Sequence, residues 1–121
     1  MRRLSKIMLS RKSRHQLDKL VWAENEANQL LKEFTRKKRI PDGWQFKWSR
    51  GIWTIGYCDF SKKTIFISKN FVLTRYIRKS KIREVILHEL CHIIGSDIEH
   101  GKSWIEACRL VGIKPRVIYY F

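Results

Sequence analysis

The 121-residue sequence predicts an α+β domain: an N-terminal helix, a three-stranded antiparallel sheet, then a helix carrying an HExxH motif and a further C-terminal helix. Three observations lead there. Apolar residues recur at helical spacing before Pro41 and again after Ser80. Between Trp44 and Ser68 the pattern changes to alternation. Turn formers, Pro41-Asp42-Gly43 and Ser49-Arg50-Gly51, separate the segments.

The elements follow in order. Residues 1–12 have no strong period and read as a flexible basic arm, leaving 13–121 as one domain, the size at which one core can form. Ser13 and Gln16 have the form of a capping box, and Leu17, Leu20, Val21, Ala27, Leu31 and Phe34 recur at helical spacing over 13–37. Trp44, Phe46 and Trp48 alternate with polar residues. Ile52 to Cys58 gives a second strand with Trp53, Ile55 and Tyr57 on one face, and Thr64 to Ser68 a third, in a short antiparallel meander. Asn70 to Tyr76 makes a short helix or turn. Ser80 caps a longer helix with an apolar stripe of Ile82, Val85, Ile86 and Ile93 that stops near Gly95. A last helix over 101–111 buries Trp104, Ala107, Cys108 and Val111 and stops at Gly112.

Charge bounds the partners. The chain holds 26 Lys and Arg against 11 Asp and Glu, a net +15. Residues 1–80 carry 20 of those bases and 6 of the acids, so the excess lies almost wholly before position 81. Such an excess attracts polyanions, and nucleic acid is the expected partner. Self-repulsion favours a monomer. No apolar run reaches the roughly 20 residues of a spanning helix, and Ile7-Met8-Leu9 is too short for a signal-peptide core, so neither membrane nor secretion is expected. Cys58, Cys91 and Cys108, an odd number without a Cys-x-x-Cys pair, read as reduced thiols of an intracellular, cytoplasmic protein. In a protein of viral origin that compartment would be the host cytoplasm.

The chemistry lies in His88-Glu89-Leu90-Cys91-His92. Four residues along a helix return to the same face, so His88 and His92 can converge on one ion at the roughly 2.0–2.1 Å that zinc requires. Glu89, offset by one residue, stands beside the metal as a general base. A catalytic zinc takes a third protein ligand and keeps an open position for water. His100 is favoured, with Asp97 and Glu99 as alternatives or as groups that orient a ligand imidazole. His15 reads as a surface residue, and the three cysteines as small core residues rather than thiolate ligands.

HExxH over 88–92, followed by His100-Gly101-Lys102-Ser103-Trp104, resembles the SprT-like metallopeptidases, which include the Spartan-type proteases. Gly56-Tyr57-Cys58 and Lys63-Thr64-Ile65-Phe66-Ile67-Ser68 are similar to that family's strands before the zinc helix, so the resemblance spans about residues 44–115. It implies a small zincin-like fold, zinc on His88, His92 and His100, Glu89 as general base, and peptide hydrolysis. Spartan-type members act on proteins crosslinked to DNA and are switched on by DNA, which suits the basic excess here. Many members carry a zinc ribbon after the protease domain; no such cysteines follow here, so nucleic acid, single-stranded DNA included, would have to be met by the basic face of residues 1–80.

Two expectations about substrate and partner complete the reading. An extended peptide could add as a strand beside residues 64–68, with Tyr57, Tyr76, Tyr119 and Tyr120 all open as oxyanion donors. Alternatively, the protein is a basic nucleic-acid-binding module with a structural or vestigial zinc. Trp44, Trp48, Trp53 and Phe60 among Lys47, Arg50, Lys62 and Lys63 would then stack unpaired bases, although sheet core is the commoner use of such aromatics.

Overall fold

The chain is seen in a computed structural model that describes residues 11–51, 54–74 and 76–116. Of the arm expected over residues 1–12, residues 1–10 lie outside the described residues, as do Trp53, Tyr119 and Tyr120, while Arg11 and Lys12 belong to the first helix. Four helices and three strands follow in the order α1 (Arg11–Arg36), β1 (Gln45–Ser49), β2 (Gly56–Asp59), β3 (Thr64–Ser68), α2 (Lys69–Leu73), α3 (Lys79–Ile94) and α4 (Lys102–Val111).

Helix α1 lays Ala23, Ala27, Leu30, Leu31 and Phe34 against the core, with Leu20 packed beside them. Leu17 and Val21, expected in that stripe, are 50% and 53% exposed. At 100° per residue both fall to one side of the face that the two alanines centre, where α1 approaches its neighbours most closely. Ser13 lies inside the helix, so the expected capping box does not start it.

The sheet is mixed, not an antiparallel meander. Its order is β1-β3-β2: β1 runs parallel to β3, from Gln45 opposite Thr64 to Ser49 opposite Ser68, and β2 runs antiparallel to it. The hairpin from β2 into β3 forms, although β2 is Gly56–Asp59 rather than the expected Ile52–Cys58, with the Asp59 carboxylate accepting from the Ser61 hydroxyl (2.7 Å) and the Lys62 N–H (3.1 Å). What differs is β1, which lies on the far side of β3. Ser68 pins the crossing segment: its N–H donates to the Ile55 carbonyl (2.8 Å) and its hydroxyl to the Gly51 carbonyl (2.9 Å). The same hydroxyl accepts from the Phe71 N–H and so caps α2. β3 takes the centre because Thr64-Ile65-Phe66-Ile67-Ser68 is the strand that gains most from being covered; its residues are buried except for the half-buried Phe66. Residues 64–68 are therefore not an edge.

Ile65 and Ile67 face the helices with Phe46, Trp48 and Cys58, and Phe66 stacks on Tyr57 (4.7 Å between rings) on the other face. Trp44 and Trp48 pack against the core, and the Trp48 indole N–H donates to Glu24 of α1 (2.9 Å). Those two tryptophans are thus spent on packing rather than offered as a stacking platform.

Helix α3 crosses the inner side of this sheet and is buried on all sides from Val85 to Ile93, because α4 covers what the sheet and α1 do not. It starts at Lys79, not after Ser80. The Arg78 carbonyl accepts from the N–H groups of Lys81 (3.0 Å) and Ile82 (3.1 Å), and burial of Ile82 outweighs a side-chain cap worth about 1 kcal/mol. The helix ends at Gly95 and α4 at Gly112, as the sequence predicts. Trp104, Ala107 and Cys108 of α4 close with Cys91 into a second small core; Val111 is only half-buried.

Gly95 is required by proximity. A Cβ there would stand 2.7 Å from the Ser103 carbonyl oxygen and 2.9 Å from its carbon. Since backbone cannot swing aside, Gly95→Ala is expected to cost about 1–3 kcal/mol, read as a lower urea midpoint at unchanged slope. An unshifted midpoint would show that α3 and α4 can separate freely.

Candidate metal centre

The C-terminal half of α3 brings His88, Glu89 and His92 to the seam with α4, and the loop from Gly95 to Gly101 returns His100 to the same place. At its centre is Trp104, 1% exposed. Its indole ring contacts all three imidazoles, with centroids 5.7 Å from His88, 5.6 Å from His92 in a stacked arrangement, and 4.6 Å from His100 edge-on. The indole N–H donates to the His88 carbonyl (3.2 Å), tying α4 to the turn of α3 that holds the motif. His92 and His100 are 4.9 Å apart between ring centres. The sequence places Trp104 in the core but does not reveal this organising role; its spacing of four residues from His100 was the available signal.

The loop is braced by Asp97. One carboxylate oxygen accepts from the Glu99 N–H (3.0 Å) and the other from the Gly101 N–H (3.1 Å), on either side of His100. The Asp97 backbone carbonyl lies 2.6 Å from His92 Nδ1. A carbonyl can only accept, so Nδ1 carries the proton and Nε2 keeps the lone pair that a metal takes. Asp97 thus fixes the orientation of the His92 imidazole through its backbone carbonyl. Glu99 is exposed. His88 Nε2 lies 2.8 Å from the Lys114 carbonyl, in the segment that follows α4. Burial holds both imidazoles below their ordinary pKa, which favours the neutral, ligating form.

Glu89 is 6% exposed, and burial raises its carboxyl to about 8. Among the described residues its Oε1 has no hydrogen-bond partner. Its Oε2 is 3.4 Å from where a Cβ on Gly56 would sit, so the bare backbone at the start of β2 leaves room for it. The Cys58 thiol donates to the Glu89 carbonyl (3.4 Å), fastening β2 to α3. Burial pushes the thiols of Cys58, Cys91 and Cys108 up, away from the thiolate form a metal would bind. His15 is exposed on α1, as expected.

The donor set suits zinc: three imidazoles held by one helix and one braced loop, and beside them a buried carboxyl whose Oε1 has no partner among the described residues. The side chains are not gathered into a coordination sphere, since no group of three or more His, Cys, Asp or Glu among the described residues is arranged to hold a metal. Among the described residues no helix is long and apolar enough to cross a membrane.

Comparison with known proteins agrees with the motif. The chain is similar in fold to the metallopeptidase zymogen jannalysin of Methanocaldococcus jannaschii, with a TM-score of 0.55 and 21% identity over 69% of this chain and 79% of that one. No curated protein matches. The SprT-like family model matches residues 23–118, from α1 through the segment beyond α4, and the chain belongs to this family of metallopeptidases.

Proposed function

We propose that the protein is a zinc-dependent peptidase that acts on proteins carried by nucleic acid, DNA–protein crosslinks among them. His88, His92 and His100 hold the metal. When bound, zinc polarises a peptide carbonyl and acidifies water. Glu89 takes up a proton at its carboxylate and releases it to the leaving amine. The observation that carries the reading is Glu89 itself: a buried carboxyl with a vacant oxygen, one residue from His88, costs stability and has no structural use. Trp104 and Asp97 hold the imidazoles in place for it.

The substrate edge is β2. It is an outer strand of the sheet, it packs against α3, and Gly56 and Cys58 border Glu89. An extended peptide pairing with its open side would rely on backbone hydrogen bonds, and so tolerate many sequences. The basic excess before position 81 supports nucleic acid as the carrier.

Zinc per chain, by elemental analysis, tests the centre. One zinc is expected in the wild type and in Glu89→Gln, and none in His88→Ala or His100→Ala. A folded, zinc-supplied wild type without metal would sink the proposal. Proteolysis of a basic protein on single-stranded DNA, with and without the DNA, tests the substrate class.

A further inference from the structure

A second feature lies away from the histidines, where the N-terminal half of α1 meets the link between α2 and α3. A cleft of about 580 Å³ opens there, within the range of small-ligand sites. Leu73 and Ile77 give it an apolar lining, and Lys19 and Arg78 its two cations, with His15 beside them. Tyr76 also lines it, 82% exposed, with φ at +70°. A ring held largely in water, on a left-handed backbone that L-residues seldom adopt, presents aromatic surface to whatever enters the cleft.

Neighbouring cations are already engaged within the protein: Lys79 lies over the Trp22 ring (5.4 Å) and Lys81 near Glu84 (3.8 Å). Among the described residues no ion pair engages Lys19 or Arg78. Burial lowers the Lys19 pKa, a desolvation cost that an anion would offset.

We infer that this cleft seats one nucleotide of a single-stranded nucleic acid, its base stacked on Tyr76 over Leu73 and Ile77 and its flanking phosphates on Lys19 and Arg78. The inference rests on the nucleic-acid part of the proposed function and gives it a place. A single strand fits because one aromatic face and an apolar lining can receive an unstacked base, which a duplex does not offer. Arg78 is ten residues before His88, about 15 Å along α3. A strand seated there runs within reach of the peptidase site, so a protein attached to it is presented to Glu89.

Fluorescence anisotropy tests this with fluorescein-labelled oligothymidylate of about 12 nucleotides and a duplex of equal length. Wild type is expected to prefer the single strand. Tyr76→Ala weakens binding about tenfold at unchanged salt dependence, and Tyr76→Phe restores it. Lys19→Gln with Arg78→Gln lowers the slope of log affinity against log salt by roughly 0.7 for each cation removed. Lys102→Gln on α4 leaves both unchanged. If wild type binds and Tyr76→Ala binds equally well, or if the duplex is preferred, the seat is wrong while the wider reading stands. If wild type binds neither probe, both fall. Thermal melting of each variant separates lost contact from lost fold.

Discussion

Glu89→Gln is expected to lower peptide hydrolysis by between about a hundred- and ten-thousandfold, the range that removal of a general base spans. The change is nearly isosteric, so packing beside Gly56 and the bond from Cys58 to the backbone carbonyl survive. Fold and zinc content should therefore match wild type. The variant should be slightly more stable at alkaline pH. The wild-type carboxyl titrates near 8 when folded, above its ordinary value, so in the metal-free protein it disfavours folding as pH rises from the unfolded value to the folded one. An amide has no such transition. Turnover at the wild-type rate, with zinc retained, would mean that another group moves the proton.

Trp104→Ala is expected to have the largest effect on stability. Deleting a fully buried indole costs about 3–5 kcal/mol, a large share of the roughly 5–15 kcal/mol available to a domain. Here it also empties the space around which three imidazoles are set and removes the bond to the His88 carbonyl. Trp104→Phe separates the two effects. It keeps a ring in the site but loses the N–H, and zinc affinity measured by chelator competition should fall about ten- to a hundredfold, as for other groups that orient metal ligands. A folded Trp104→Phe with wild-type zinc affinity would reduce Trp104 to a core residue.

Both predictions depend on a site that was partly legible in one dimension. The i, i+4 spacing of His88 and His92 within an apolar helical period places them on one face whatever packs around them. Gly95 and Gly112 mark the ends of α3 and α4 because the stops are local chemistry. β3 was bounded correctly because its apolar run is continuous. His100 was favoured over Asp97 and Glu99 because imidazole is the commonest zinc ligand and because it opens the next helix; the structure adds that the Asp97 carboxylate braces the loop on either side of it.

The remainder depends on contacts that no local pattern encodes. A strand's alternation says which residues share a face, not which strand lies beside it; the parallel placement of β1 was decided by the coverage β3 gains at the centre, and by Ser68 holding the crossing segment. That choice made β2, not β3, the edge beside Glu89. Leu17 and Val21 were misread for a similar reason: helical period defines an apolar side, but the width of the buried stripe depends on how closely neighbours approach. Sequence by itself determined the kind and order of the elements and the placing of His88 and His92 on one helical face, because both follow from local periodicity. Tertiary structure decided the order of the sheet, the exposure of Tyr76 above its cleft and the gathering of three imidazoles on Trp104, because each needs residues distant in the chain to compete for the same space.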